Sequence, residues 1–126
     1  MTLTFDVLRR ANEVRKPSFK NRKGELHDYH DWTINDWLTA TMGELGELAN
    51  LAKKLRRGDY DLDDIRDEMA DELADVMTYL DILAQKIGID LGEATIDKFN
   101  DTSRRVGSNV RIKEDGQSWF FKTEAF

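Results

Sequence analysis

The stretch that decides the fold opens with Gly43-Glu44-Leu45-Gly46-Glu47-Leu48 and closes with Asp71-Glu72-Leu73-Ala74-Asp75-Val76. Each hexapeptide carries two carboxylates three residues apart, Glu44 with Glu47 and Glu72 with Asp75. On an α-helix this spacing places both side chains on nearly one face, one turn apart. Two such helices packed side by side would gather four acids. Because unpaired carboxylates repel one another, the pattern predicts a divalent-metal site.

Length and composition set the class of protein. The 126 residues suffice for one domain with its own core, and the absence of cysteine excludes disulfides and thiolate metal sites. A net charge of −6, from 25 acidic and 19 basic residues, argues against a nucleic-acid partner. No apolar stretch reaches bilayer length and the N-terminus has no signal-peptide pattern, so we expect a soluble, cytoplasmic protein with no membrane partner.

A single proline and a wealth of leucine, alanine, glutamate, aspartate and lysine favour an all-α fold. Apolar periodicity, capping residues and glycine stops predict four helices. Their expected bounds are Thr4 to about Arg15, Asp31 or Thr33 to Arg57, Leu62 to Ile87, and Asp90 to about Val106. We therefore predict a four-helix bundle over residues 1–107.

The segment after Gly107 has a different pattern. Asn109 to Lys113 and Ser118 to Lys122 predict a hairpin or an extended arm. Its aromatic residues are too apolar to remain in water, so we expect residues 108–126 to dock on the same or a neighbouring subunit. The polar segment 16–31 is predicted to be a loop.

Two of the predicted helices carry long apolar stripes. On the second helix we expect Leu38, Thr41, Leu45, Leu48, Ala52 and Leu55 to face inward. The third helix is apolar on more than one face, which indicates more than one partner and hence a homo-oligomer. Gly43 and Gly46, which flank Glu44, indicate that another backbone or a ligand comes close there.

The kind of metal follows from the ligands. Carboxylate oxygens are hard ligands that suit Mg²⁺, with Mn²⁺ able to substitute. Zinc or di-iron sites would need histidine at ligand spacing, and both histidines, His27 and His30, lie in the predicted loop. Mg²⁺ held by acids near lysine and arginine suits a polyphosphate substrate.

The chain resembles a known family through an ordered succession of motifs. These are Gly43-Glu44-Leu45-Gly46-Glu47-Leu48-Ala49-Asn50, Lys53-Lys54-Leu55-Arg56-Arg57-Gly58, Asp71-Glu72-Leu73-Ala74-Asp75-Val76, and Asp97-Lys98-Phe99-Asn100 with Ser103-Arg104-Arg105-Val106-Gly107. They resemble the MazG-like all-α nucleoside triphosphate pyrophosphohydrolases. The resemblance implies hydrolysis of a (deoxy)nucleoside triphosphate to the monophosphate and pyrophosphate, and a homodimer or homotetramer.

The resemblance also implies roles for single residues. Glu44, Glu47, Glu72 and Asp75 would bind Mg²⁺ and act in catalysis, with a metal-activated water as nucleophile and either Glu47 or Glu44 as general base. The candidates for phosphate or sugar contacts are Lys98, Asn100, Arg104, Arg105 and Lys54. From their position at the start of the second helix, about two turns before Glu44, Trp32, Asn35 and Trp37 are our candidates for stacking on or hydrogen-bonding the base. Burial as structural residues is the alternative for both tryptophans.

Two other functions fit the same residues. One is a non-enzymatic helical regulator that uses its acidic surface to bind a basic partner. The other is an enzyme of the same fold acting on a nucleoside diphosphate or another pyrophosphate. The complete set of four acids, with Lys98 and Asn100 in place, favours an enzyme over the regulator and leaves the other pyrophosphate substrates open. Our first interpretation is the triphosphate hydrolase, acting to cleanse or shape a nucleotide pool.

Overall fold

The computed structural model describes residues 2–27 and 29–123, in which four α-helices precede a small antiparallel hairpin. The elements are α1 (Phe5–Arg15), a 3-10 turn (Lys16–Ser18), α2 (Ile34–Arg57), α3 (Leu62–Ile87), α4 (Leu91–Val106), β1 (Val110–Ile112) and β2 (Trp119–Phe121). The all-α fold with a short hairpin tail is as predicted. No described helix has the length and apolar character needed to cross a bilayer.

Capping residues set the helix bounds. Of the two predicted starts for α2, the structure selects Thr33: its hydroxyl accepts from the Asp36 N–H at 3.3 Å, and Asp36 accepts from the Thr33 N–H at 2.8 Å. This reciprocal pair is a capping box. Gly58 ends α2 with φ +86°, a left-handed conformation that glycine adopts without strain.

The described residues form two compact units, Met1–Gly88 and Ile89–Phe126. The predicted division into residues 1–107 and 108–126 stays a prediction, and the second compact unit contains both α4 and the hairpin. Within that unit the side chain of Asn100 donates to the Ile112 carbonyl at 3.0 Å and accepts from the Ile112 N–H at 2.9 Å. The hairpin therefore packs on α4 of its own chain, and the last three residues of the predicted tail lie outside the described residues.

In the first unit, α2 and α3 pack against each other, and the core is built around Trp37, Ile82 and Leu83. Aromatic side chains from the segment before α2 and from α3 pack on this cluster: Phe19, Tyr29, Trp32 and Tyr79. The rings of Trp32 and Trp37 lie 4.7 Å apart between centroids. The segment predicted as a polar loop is thus anchored by its aromatic residues.

Helix α1 is fastened to α3 by a buried polar cluster. Asp81, 1% exposed, accepts from Arg9 Nε at 3.0 Å and from Asn12 Nδ2 at 2.9 Å. Asn12 is itself 2% exposed. A buried carboxylate is tolerated when it is paired and hydrogen-bonded, and both conditions are met here.

The inward face of α2 agrees only in part with the predicted stripe. Thr41 of the stripe is buried and Leu48 and Leu55 are half-buried, whereas Leu38, Leu45 and Ala52 are exposed. The other buried positions of α2 are Trp37 and Leu51. No described atom outside the helix backbone and the chain neighbours lies within 4 Å of a Cβ placed on Gly43 or Gly46, so no other described segment makes the close approach predicted there. A ligand or second copy at these glycines stays a prediction.

Candidate metal centre

Three carboxylates meet in the first unit. Glu44 comes from α2, and Glu72 and Asp75 come from successive turns of α3, with one oxygen from each lying within 4.8 Å of the others. The side chains of Glu44 and Glu72 are half-buried, while Asp75 is exposed. The cluster is therefore open to solvent on the Asp75 side, where a substrate can approach.

The fourth predicted acid, Glu47, lies outside this group of three. Its side chain is exposed, and its carboxyl is close enough to hydrogen-bond the protonated form of Glu72. The structure thus places Glu47 beside the cluster. The roles assigned to all four acids stay predictions.

The electrostatics reflect the crowding of like charges. The pKa of Glu72 is raised to about 7 by burial, by hydrogen bonds with Glu47 and Glu44, and by the charges of the same two residues. The pKa of Glu44 is also raised, first by burial and then by the charges of Asp75 and Glu47. Each shift means that it is unfavourable for all of these carboxyl groups to be ionised at once. A bound cation, or a proton kept by one of the groups, relieves the repulsion.

The donor set fits a divalent cation. Oε2 of Glu72 is buried and has no hydrogen-bond partner among the described residues, so it is an acceptor without a donor. All three groups offer carboxylate oxygens, which are the ligands that Mg²⁺ and Mn²⁺ prefer. A cation would satisfy the orphaned oxygen and offset the repulsion.

Sequence reasoning missed Tyr79, which stands next to the acids. The pKa of its phenol is raised by burial first, and then by the charges of Glu44, Tyr29 and Asp75. The signal was present in the spacing, because Tyr79 follows Asp75 by four residues and therefore shares its helix face. Its ring also lies 6.2 Å from that of Trp37, which connects the cluster to the aromatic core.

The three candidates for base contacts occupy different environments. Trp37 is 2% exposed and belongs to the core, which favours the structural alternative weighed for it. Trp32 is half-buried against Tyr29, with ring centroids 4.5 Å apart. Asn35 is exposed in the first turn of α2. A contact between any of them and a base stays a prediction.

The phosphate candidates are spread over both units. Lys54 is half-buried near the end of α2, in the first unit. In the second unit, Lys98 and Arg105 are exposed on α4. Arg104 Nη1 donates to Asp101 at 2.6 Å.

The remaining candidate, Asn100, uses both ends of its amide on Ile112 in this structure. Phosphate binding by Asn100 would require those two bonds to be exchanged. A role for Asn100 in substrate binding stays a prediction.

Comparison with protein families identifies a matching domain model. The model for the MazG nucleotide pyrophosphohydrolase domain matches residues 33–106, which is more than half of the chain and spans α2 to α4 with all four acids. Searches among curated proteins and among solved structures found no significant match.

Proposed function

Because the chain belongs to the MazG nucleotide pyrophosphohydrolase domain family, we propose that it hydrolyses a ribo- or deoxyribonucleoside triphosphate to the monophosphate and pyrophosphate. The observation that carries the proposal is the cluster of Glu44, Glu72 and Asp75, whose oxygens lie within 4.8 Å of one another. A reaction on a polyphosphate at an acidic site needs positive charge, and these three carboxylates would supply it by binding a cation.

Glu44, Glu72 and Asp75 would hold Mg²⁺, with Mn²⁺ able to substitute. When bound, the cation supplies Lewis-acid polarisation of the phosphoryl oxygens and neutralises charge that develops on them. The cation would give a partner to the buried Oε2 of Glu72, which has no hydrogen-bond partner among the described residues.

Glu47 is our candidate general base. It lies next to Glu72 but outside the group of three, so its carboxylate is available to accept a proton. In the proposed step a water oxygen bonds to a phosphorus beside the oxygen that bridges the α- and β-phosphates, and the bond from that phosphorus to the bridging oxygen breaks. The water proton passes to Glu47, and the monophosphate and pyrophosphate separate. Glu44 is less suited because it belongs to the cation-binding group.

Cationic side chains would orient the phosphates once the substrate is bound. Lys98, Arg104, Arg105 and Lys54 supply the charges that we propose for this, together with Asn100 if it releases Ile112. We further propose a homodimer or homotetramer, since exposed leucines and methionines on α2 and α3 leave an apolar surface to cover. Cleansing or shaping a cytoplasmic nucleotide pool is the role that this reaction suits.

The test compares two exposed aspartates of α3. Asp75→Asn removes a cluster carboxylate, and Asp71→Asn makes the same chemical change outside the cluster. With Mg²⁺ and each common nucleoside triphosphate, we expect hydrolysis to fall at least about a hundredfold in the first variant and by less than twofold in the second. Equal activity in the wild type and Asp75→Asn would exclude the proposed site.

A further inference from the structure

The last turn of α1 carries an arginine without a carboxylate partner. Arg15 is exposed, and its side chain forms no ion pair or hydrogen bond within the described part of the chain. Its Cζ lies 5.6 Å from the centroid of the Phe19 ring, which is a cation–π contact. The guanidinium is thus held against an aromatic ring while its N–H groups stay open to a ligand.

Phe19 connects this arginine to the core of the first unit. It packs on the cluster around Trp37, and its ring meets that of Tyr29 edge to face, with the centroids 5.5 Å apart. Tyr79 packs on the same cluster, with its ring 6.2 Å from that of Trp37. The residue that holds Arg15 and the tyrosine that stands next to the acids therefore share one packed core.

Helix α1 also meets α3 at the level of Tyr79. Asn12 Nδ2 donates to Asp81 at 2.9 Å and lies 3.4 Å from the carbonyl oxygen of Thr78. Arg15 follows Asn12 by three residues, so it lies one turn further along nearly the same side of α1. From there its long side chain can reach the surroundings of Tyr79.

The charges around the phenol of Tyr79 agree with this placement. Burial is the first cause that raises the pKa of the phenol, and the charges of Glu44, Tyr29 and Asp75 raise it further. The charge of Arg15 acts in the opposite direction and lowers this pKa. Because electrostatic effects weaken with distance, both the carboxylates and the guanidinium stand near the phenol.

A phosphate chain at the carboxylates needs more positive charge than one cation supplies. Three ionised carboxylates with one Mg²⁺ keep a net negative charge, and every bound phosphate adds to it. The planar guanidinium of an arginine donates two parallel hydrogen bonds to phosphate oxygens. Arg15 has no carboxylate to release, and its contact with Phe19 reduces the side-chain freedom that binding would cost.

We propose that Arg15 binds the phosphate chain of the substrate beside the cation that the carboxylates hold. The ligand class is a polyphosphate chelated to Mg²⁺, whatever base it carries. This inference rests on the proposed function for the identity of the substrate, whereas the contact itself requires only a polyphosphate and the cation.

Imidodiphosphate tests the contact without hydrolysis, because a P–N–P bridge replaces the P–O–P bridge of pyrophosphate. In calorimetric titrations of the whole chain with Mg²⁺ present, Arg15→Met should weaken its binding at least about tenfold, since a charge-assisted contact is lost. Arg15→Lys keeps the charge without the planar fork, so its affinity should lie between those of Arg15→Met and the wild type. Arg10→Met changes another exposed arginine of α1 and should bind as the wild type does.

The melting temperature separates a phosphate contact from damage to the metal site. Arg15→Met should keep the full rise in melting temperature that Mg²⁺ causes in the wild type, and loss of that rise would overturn the inference. Equal imidodiphosphate affinity in Arg15→Met and the wild type, an equal loss in Arg10→Met, or no binding by the wild type would also overturn it, even in an active enzyme. A loss of affinity confined to the Arg15 variants supports it even if no triphosphate is hydrolysed.

Discussion

A carboxylate oxygen of Glu44 lies within 4.8 Å of one of Glu72, although the two residues belong to different helices. The contact between α2 and α3 thus holds two like charges together, with Glu47 beside them. Such an arrangement is unfavourable when every group is ionised and becomes favourable when a proton or a cation is bound. The first two predictions follow from this relationship.

The stability of the metal-free protein should depend on the ionisation of Glu72. Its pKa is about 7 in the folded chain against an ordinary value of 4.5, so between these pH values the folded state binds more protons than the unfolded state. The contribution of Glu72 to the free energy of unfolding therefore falls as the pH rises from 4.5 to 7. In urea titrations with EDTA, Glu72→Gln should gain stability relative to the wild type between pH 5 and pH 8. If the difference in free energy of unfolding between Glu72→Gln and the wild type is the same at pH 5 and pH 8, the prediction is wrong.

Mg²⁺ should raise the melting temperature of the wild-type protein, because a ligand that binds only the folded state stabilises it by mass action. Glu72→Gln should show a smaller shift, since the orphaned oxygen is among the groups that the cation satisfies. Asp71→Asn, an exposed change on the same helix, should keep the full shift. A full shift in Glu72→Gln would remove this residue from the site.

The buried cluster at Asp81 should stabilise the packing of α1 on α3. Asp81→Ala removes the buried carboxylate that accepts from Arg9 and Asn12, and we expect the free energy of unfolding to fall by about 2 to 4 kcal/mol. Asp101→Ala removes the exposed pair with Arg104 and should cost less than about 1 kcal/mol. Urea denaturation of both variants measures the two free energies of unfolding. Equal losses of stability would show that the buried interactions of Asp81 stabilise the fold no more than the exposed pair does.

The apolar surface on α2 and α3 should mediate self-association. It contains the exposed residues Leu38, Met42, Leu45, Leu73 and Met77. Light scattering coupled to size-exclusion chromatography should give a dimer or tetramer for the wild type and a smaller species for Leu45→Lys. Val14→Lys changes an 80% exposed residue of α1 and serves as the control. A monomeric wild type, or an unchanged mass in Leu45→Lys, would contradict the prediction.

The helix bounds were predictable because local chemistry sets them. Thr33 and Asp36 form the capping box that starts α2, and Gly58 ends it in a left-handed conformation. The spacing of Glu72 and Asp75 likewise predicted one shared face, and the matching family model confirms the resemblance seen in the motifs. In each case the information lies within a few residues of the chain.

What escaped prediction depends on contacts between distant residues. Periodicity identifies an apolar stripe but does not say which partner covers it, so the exposure of Leu45 could not be predicted. The pairing of Asp81 with Asn12 joins residues 69 apart, and no local pattern specifies such a pair. Tyr79 is an exception, because its spacing of four residues from Asp75 is local information. It was missed because a phenol is not one of the side chains that define an acidic motif.

The central claim is the cleavage of a nucleoside triphosphate to the monophosphate and pyrophosphate. The most direct measurement incubates the wild-type protein with Mg²⁺ and each common nucleoside triphosphate and resolves the four possible phosphorus products. We predict monophosphate and pyrophosphate in equal amounts, formed only when the divalent cation is present. Diphosphate with inorganic phosphate, or no turnover of any triphosphate with Mg²⁺ or Mn²⁺, would contradict the claim.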